Sequence, residues 1–384
     1  MNNKIEIIQT LLEKINTSFI NLKIIKKNIR FLMNEYRDIK RFYLEFVNLK
    51  LQVIDIPKDS ELYNKTLSII KNSYLNSFNY INDKIKNVIS IKLLKYSNLS
   101  YYYIQLDNQS LENDINIFKN LFIEALTLIN HYKKETSNII VIWIPVRKNR
   151  DFNYSLINKQ NINASVNNFN AFTASGVTFN HNPRISILTR YEEINKLMYH
   201  ELIHNFGIDG SNYHNELKSD GILEKYMKIK TNNSYNYEYS LYESYTELIS
   251  SYLNIIFVTL RQNINNDPKR ASITDDNLKY ILMTKIIIEI IYSYNTISNI
   301  IKLNSFTDYD TFKKDKTFCG DICFYEYYFL KALLYNNLIL EKPVNKDDFL
   351  RYYSKIIKIN DDNLLKEIFN KSVKQNNFSY IFFK

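Results

Sequence analysis

Histidine, cysteine, glycine and proline are all scarce in this chain of 384 residues, which holds five His, two Cys, five Gly and five Pro. With only Cys319 and Cys323, in "FCGDICF", no second pair exists to complete a four-cysteine zinc site. They are expected to be buried thiols in a reducing compartment. The poverty in Gly and Pro accompanies heavy use of Asn, Ile, Lys and Tyr, reads as the codon bias of an AT-rich genome, and says little about chemistry. A basic block is missing too. The formal net charge is +10, but Lys and Asp/Glu are interspersed, unlike the clustered cations that track a phosphate backbone, so no nucleic-acid partner is expected.

Long uncharged apolar runs are also absent. "MNNKIEIIQTLLEK" sets Glu6 and Glu13 where a signal peptide needs an apolar core, and "ILMTKIIIEIIY" is broken by Lys285 and Glu289. The expectation is an intracellular protein with no membrane span. Its length suffices to bury a sizeable core without disulfide or metal staples, so small-core rescue is no reason to invoke a metal.

The chain reads as α+β. Apolar residues recur at helical spacing from Ile5 through Ile8, Leu12, Ile15, Phe19 and Leu22, and helix resumes after Pro57, giving an N-terminal helical region over 1–85. Residues 86–210 read as a mixed α/β lobe. "KNVISIKLLKYSNLSYYYIQL", "NIIVIWIPV", "NAFTASGVTF" and "RISILTR" are strand candidates for a small mixed sheet, with a helix over 110–132 and another from Tyr191 to Phe206. Residues 211–384 read as a helical C-terminal lobe, and no internal repeat is evident.

Two of the five histidines lie in "MYHELIHNFGIDGS" as His200 and His204, four apart around Glu201. On a helix this spacing puts both imidazoles on one face, able to bind one ion, with Glu201 beside them as a candidate general base. Zinc needs a third protein ligand and leaves a fourth position for water. Asp209 and His214 follow closely, but Gly210 stands where a metzincin would carry its third histidine. In "SLYESYTELISSYLN", Glu243 and Glu247 are four apart amid Leu241, Leu248, Ile249 and Leu253. Such a pair usually marks a solvated face, but burying two like charges in so apolar a helix is costly without a cation.

On the gluzincin pattern, Glu243 is the third ligand of a single zinc ion. Glu247 is then the carboxylate that hydrogen-bonds a zinc-bound histidine, with Asp209 as a further supporting residue. The expected chemistry is metal-assisted amide hydrolysis: zinc brings the pKa of water towards neutrality, and Glu201 takes the proton. Tyr327 and Tyr328 in "FYEYYFLKALL" are candidate oxyanion donors. Ser175, Gly176 and Val177 are the candidate strand for pairing with an extended peptide substrate, an interior strand with a bulge at Gly176 being the other reading.

"SGVTF", "ILTRYEEINKLMYHELIHNFGID", "YESYTELISSYLN" and "YEYYFLK", in that order, resemble a set of HExxH proteins encoded by large cytoplasmic DNA viruses, entomopoxviruses and giant viruses among them. The resemblance covers roughly residues 170–335 and leaves the N-terminal helical region outside it. It implies a gluzincin-like metallopeptidase with a zincin core, acting on protein or peptide in the host cytoplasm or virion. A non-catalytic zinc-containing scaffold or virion interaction protein is the alternative, which has no use for a general base at position 201.

Overall fold

A computed structural model of the chain describes residues 21–73, 84–106, 111–132, 138–147, 176–179, 183–191, 193–210, 241–266, 273–303, 331–342 and 347–349, with 351, 352, 355, 366 and 370. The described chain combines helices with one mixed sheet, the α+β class expected from sequence. Two compact units account for it. A helical unit takes residues 1–37, 212–318 and 323–384; a sheet unit takes residues 38–211 and 319–322. The sequence segments 1–85, 86–210 and 211–384 are therefore cut differently by packing. The N-terminal stretch through residue 37 clusters with the C-terminal helices, while 38–85 cluster with the sheet.

The sheet unit carries strands β1 (Ile54–Ile56), β2 (Ser90–Tyr96), β3 (Leu99–Gln105), β4 (Ile139–Val146), β5 (Gly176–Phe179) and β6 (Arg184–Arg190). Their spatial order is β1-β2-β3-β4-β6-β5. β3, β4 and β6 run parallel; β1–β2, β2–β3 and β5–β6 are antiparallel. A parallel neighbour demands a crossover, and helix α3 (Leu111–Tyr132) supplies it between β3 and β4. Before it in the chain come α1 (Leu22–Phe46) and α2 (Glu61–Lys71); α4 (Ile194–Phe206) follows β6. Strand β1 is three residues long, too short for alternation to announce it in the sequence.

Strand periodicity sorts the side chains onto two faces. On one face Ile91, Leu93, Tyr102, Ile104, Ile142, Ile144 and Ile187 form a core with Tyr63 and Ile70 of α2. On the other, Tyr101 and Tyr103 pack their rings against Phe118 of α3, and Trp143 against Tyr103. The central strand β4 is apolar and almost wholly buried, as a strand covered on both faces must be. Each large core side chain contributes roughly 1.5–3 kcal/mol by leaving water. The register puts Gly176 opposite Leu188 and Thr178 opposite Ser186, on the face that carries α4, while Val177 and Phe179 join the opposite core. β5 closes one edge of the sheet.

The helical unit comprises the start of α1, then α5 (Leu241–Asn266), α6 (Asp275–Leu303) and α7 (Lys331–Asn337). Asn28 of α1 donates from Nδ2 to the Leu338 carbonyl and accepts from the Leu340 amide, both at 2.9 Å. Those two bonds tie the N-terminal helix to the C-terminal lobe. Among the described residues, no helix is long and apolar enough to cross a membrane.

Lys285 of α6 is half-buried and donates to Thr259 Oγ1 at 2.9 Å and Gln262 Oε1 at 2.8 Å. Burial, and then the nearby Arg261 charge, push its ammonium down from 10.5 to about 8. Between those values the unfolded chain binds the proton and the folded chain does not, so the folded state gains as pH rises through this window. Relative to Lys285→Met, the wild type should therefore gain stability between about pH 8 and pH 10. Urea midpoints for both proteins across that range check this.

Candidate functional site

Helix α4 carries His200, Glu201 and His204, and its end is set by Gly207. Gly207 adopts φ 61°, a left-handed conformation that glycine tolerates without strain. Its amide bonds the His204 carbonyl at 2.9 Å, and the Ile208 amide reaches back to Ile203 at 3.2 Å, the helix-terminating turn expected of a glycine here. The turn brings Asp209 under the helix. Asp209, fully buried, lies with Oδ2 at 2.5 Å from His204 Nδ1.

When Nδ1 donates to that carboxylate in the neutral ring, the lone pair of His204 lies on Nε2. That Nε2 faces His200 Nε2 at 3.0 Å, the two rings edge to face with centroids 4.7 Å apart. The two nitrogens are within hydrogen-bond distance of each other, and close enough for one ion to be reached by both. His200 is 5 % exposed. The pair thus offers nitrogen donors in a sheltered place, and the outer nitrogen of one is already anchored as metal-bound histidines generally are.

Glu201, only 4 % exposed, projects towards β5. Thr178 Oγ1 donates to its Oε2 at 2.6 Å. A Cβ on Gly176 would meet Glu201 Oε1 in overlap and sit 2.8 Å from Cδ and 2.9 Å from Cγ. Only glycine leaves room for the carboxylate there, which is why this strand carries a residue otherwise unfavourable in strands. Of the two readings of this strand, the interior one with a bulge at Gly176 does not match the described residues: Gly176–Phe179 pairs in continuous register with β6, and β5 is last in the strand order.

The opposite side of α4 is held by a buried acid. Glu124 of α3, fully buried, accepts from Tyr199 Oη at 2.6 Å and from Asn195 Nδ2 at 3.0 Å. Sequence reasoning missed Glu124, Thr178, Ser186 and Asn205. For Thr178 a signal existed, since alternation in "SGVTF" puts it on the face of Gly176. Glu124 had none, as it bonds residues more than 70 positions away.

Glu243 and Glu247 belong to the helical unit, both on α5, Glu243 half-buried and Glu247 9 % exposed. Glu247 Oε1 is 3.5 Å from Nζ of Lys331 on α7, an ammonium only 2 % exposed, and Glu289 Oε1 of α6 is 3.5 Å from the same nitrogen. Ser175, His214, Cys319, Cys323, Tyr327 and Tyr328 lie outside the described residues.

No protein-family model and no solved structure matches the chain. It is 26% identical over 294 residues to an uncharacterised protein of Acanthamoeba polyphaga mimivirus, the match covering 74% of this chain and 65% of that protein. The chain thus spans just under two thirds of the length of that viral relative.

The Tyr199–Glu124 bond yields a prediction. Tyr199→Phe removes a donor from a carboxylate that has no access to water, and should cost about 1–3 kcal/mol of stability. Urea unfolding of the variant against wild type measures it.

Proposed function

We propose that this protein is a zinc-dependent peptidase of the gluzincin type, with His200, His204 and Glu243 as ligands of one zinc ion and Glu201 as the general base. The observation that carries the reading is the pair of imidazole Nε2 atoms 3.0 Å apart, one ring anchored through Nδ1 by Asp209. Glu243 of α5, half-buried and four residues before Glu247, completes the proposed donor set. Two nitrogens and a carboxylate oxygen fit zinc and leave a fourth position open. A zinc ion bound there would polarise a substrate carbonyl and acidify water.

The chain's own residues then divide the remaining work. Glu201 accepts a proton at its carboxylate and returns it to the leaving amine. Asp209 keeps His204 in the tautomer whose Nε2 lone pair is available. The outer edge of β5, Gly176–Phe179, bears backbone groups not used by β6, suited to pairing with an extended peptide. Together these features support a zincin-like core within the mixed α and β fold. Likeness to a viral protein supports a viral origin, with the host cytoplasm or the virion as the place of action.

A scaffold would need the ligands and not the base. Glu201 is buried on the same helix, bonded to Thr178 and accommodated by Gly176, which favours the enzyme. Zinc stoichiometry of the purified protein and hydrolysis of a peptide library test it. One zinc per chain is expected in the wild type and in Glu201→Gln, with hydrolysis reduced about 10²–10⁴-fold in the variant. His200→Ala, His204→Ala and Glu243→Ala should lose the ion, and Asp209→Ala should weaken its binding about 10–100-fold. Equal turnover by wild type and Glu201→Gln would remove the enzymatic reading, and one zinc with no turnover in either would favour the scaffold.

A further inference from the structure

We infer that Thr178 is a positioning residue for Glu201: a hydrogen-bond chain from Asn205 through Ser186 and Thr178 aims a hydroxyl proton at the carboxylate and holds it over Gly176. The inference rests on the reading of Glu201 as general base. Its geometry stands independently.

The chain has a direction. Asn205 Nδ2, a donor only, bonds Ser186 Oγ. Ser186, with a donor already on its oxygen, has its own proton left for Thr178 Oγ1 at 3.1 Å. Thr178 in turn has one proton and two acceptors on Glu201, the backbone carbonyl at 3.1 Å and Oε2 at 2.6 Å. The shorter, charge-assisted bond takes it. Each link polarises the next, so the last hydroxyl is a stronger donor than a lone threonine. Ser186 and Asn205 are fully buried, so water does not compete for these bonds.

Strand alternation makes the device two-sided. Gly176 and Thr178 are two apart and face α4 together, one providing space for the carboxylate and the other a donor. Because both residues lie on the edge strand proposed to pair with substrate, the base and the substrate backbone share one rigid reference.

A thermal cycle and a kinetic pair test the inference. Thr178→Val keeps the shape and removes the hydroxyl; Gly176→Ala fills the space. Each should lower the melting temperature by about 2–4 °C in the wild-type background. In the Glu201→Ala background both losses should largely vanish, because the atoms that Thr178 and the new Cβ would meet are gone. Against a peptide that the wild type cleaves, Thr178→Val should lower kcat about 10–100-fold with KM changed less than about threefold and zinc content intact. Thr178→Ser should restore most of the loss. Undiminished melting losses without the Glu201 side chain, or an unchanged kcat in Thr178→Val, would overturn the inference and leave the proposed function standing. A wild type that cleaves no peptide would remove the proposed function, and the melting cycle would still decide whether Thr178 and Gly176 act through Glu201.

Discussion

Helix α4 buries polar side chains on more than one face, and a buried polar group without a partner costs about 1–3 kcal/mol. That constraint organises the sheet unit. Glu201 and Asn205, one turn apart, point at the sheet, where an all-apolar strand would leave them unsatisfied; Thr178 and Ser186 meet them instead. Tyr199 and Asn195 point towards α3, and Glu124 meets both. His204 points past the helix end, where the turn at Gly207 delivers Asp209. An apolar helix could slide by an ångström at little expense. A helix fixed through directional bonds to two strands, a helix and its own C-terminal turn cannot, and chemistry at a site depends on such precision.

The sequence was most legible where the signal is local. The four-residue spacing of His200 and His204 needs only a helix, and α4 supplies it. "NIIVIWIPV" declares β4 through an unbroken apolar, β-branched run and "RISILTR" declares β6 through Ile185, Ile187 and Thr189 at period two, and α3 fills the segment expected between strands. The turn at Gly207 was equally local, yet what it accomplishes, the delivery of Asp209 to His204 Nδ1, follows only when the turn is built in three dimensions. Strand order was not legible at all. Nothing in the residues of β5 says that it pairs outside β6 and forms an edge, because order is decided by which crossovers the whole chain can close. The helical spacing from Ile5 to Phe19 lies outside the described residues; α1 follows it, and the partners of its Asn28, Leu338 and Leu340, lie more than 300 residues away. An amphipathic stripe states that a partner exists and not which one.

In the helical unit, charge rather than packing is the constraint. Lys331 ends the "YEYYFLK" stretch and is buried between Glu247 and Glu289, each 3.5 Å away, so one ammonium serves two carboxylates. Tyr252 and Tyr335 beside them add no charge. Burial first, and Glu289 as a further cause, push both phenols well above their ordinary value, so they remain neutral. Glu243 stands one turn before Glu247 on the same face of α5. Like charges on one helix face are unfavourable unless a cation answers them. Donor chemistry separates the ions that a proposed site of this kind would take. Calcium and magnesium take oxygen ligands, whereas a borderline-soft ion such as zinc accepts imidazole nitrogen as well as carboxylate oxygen.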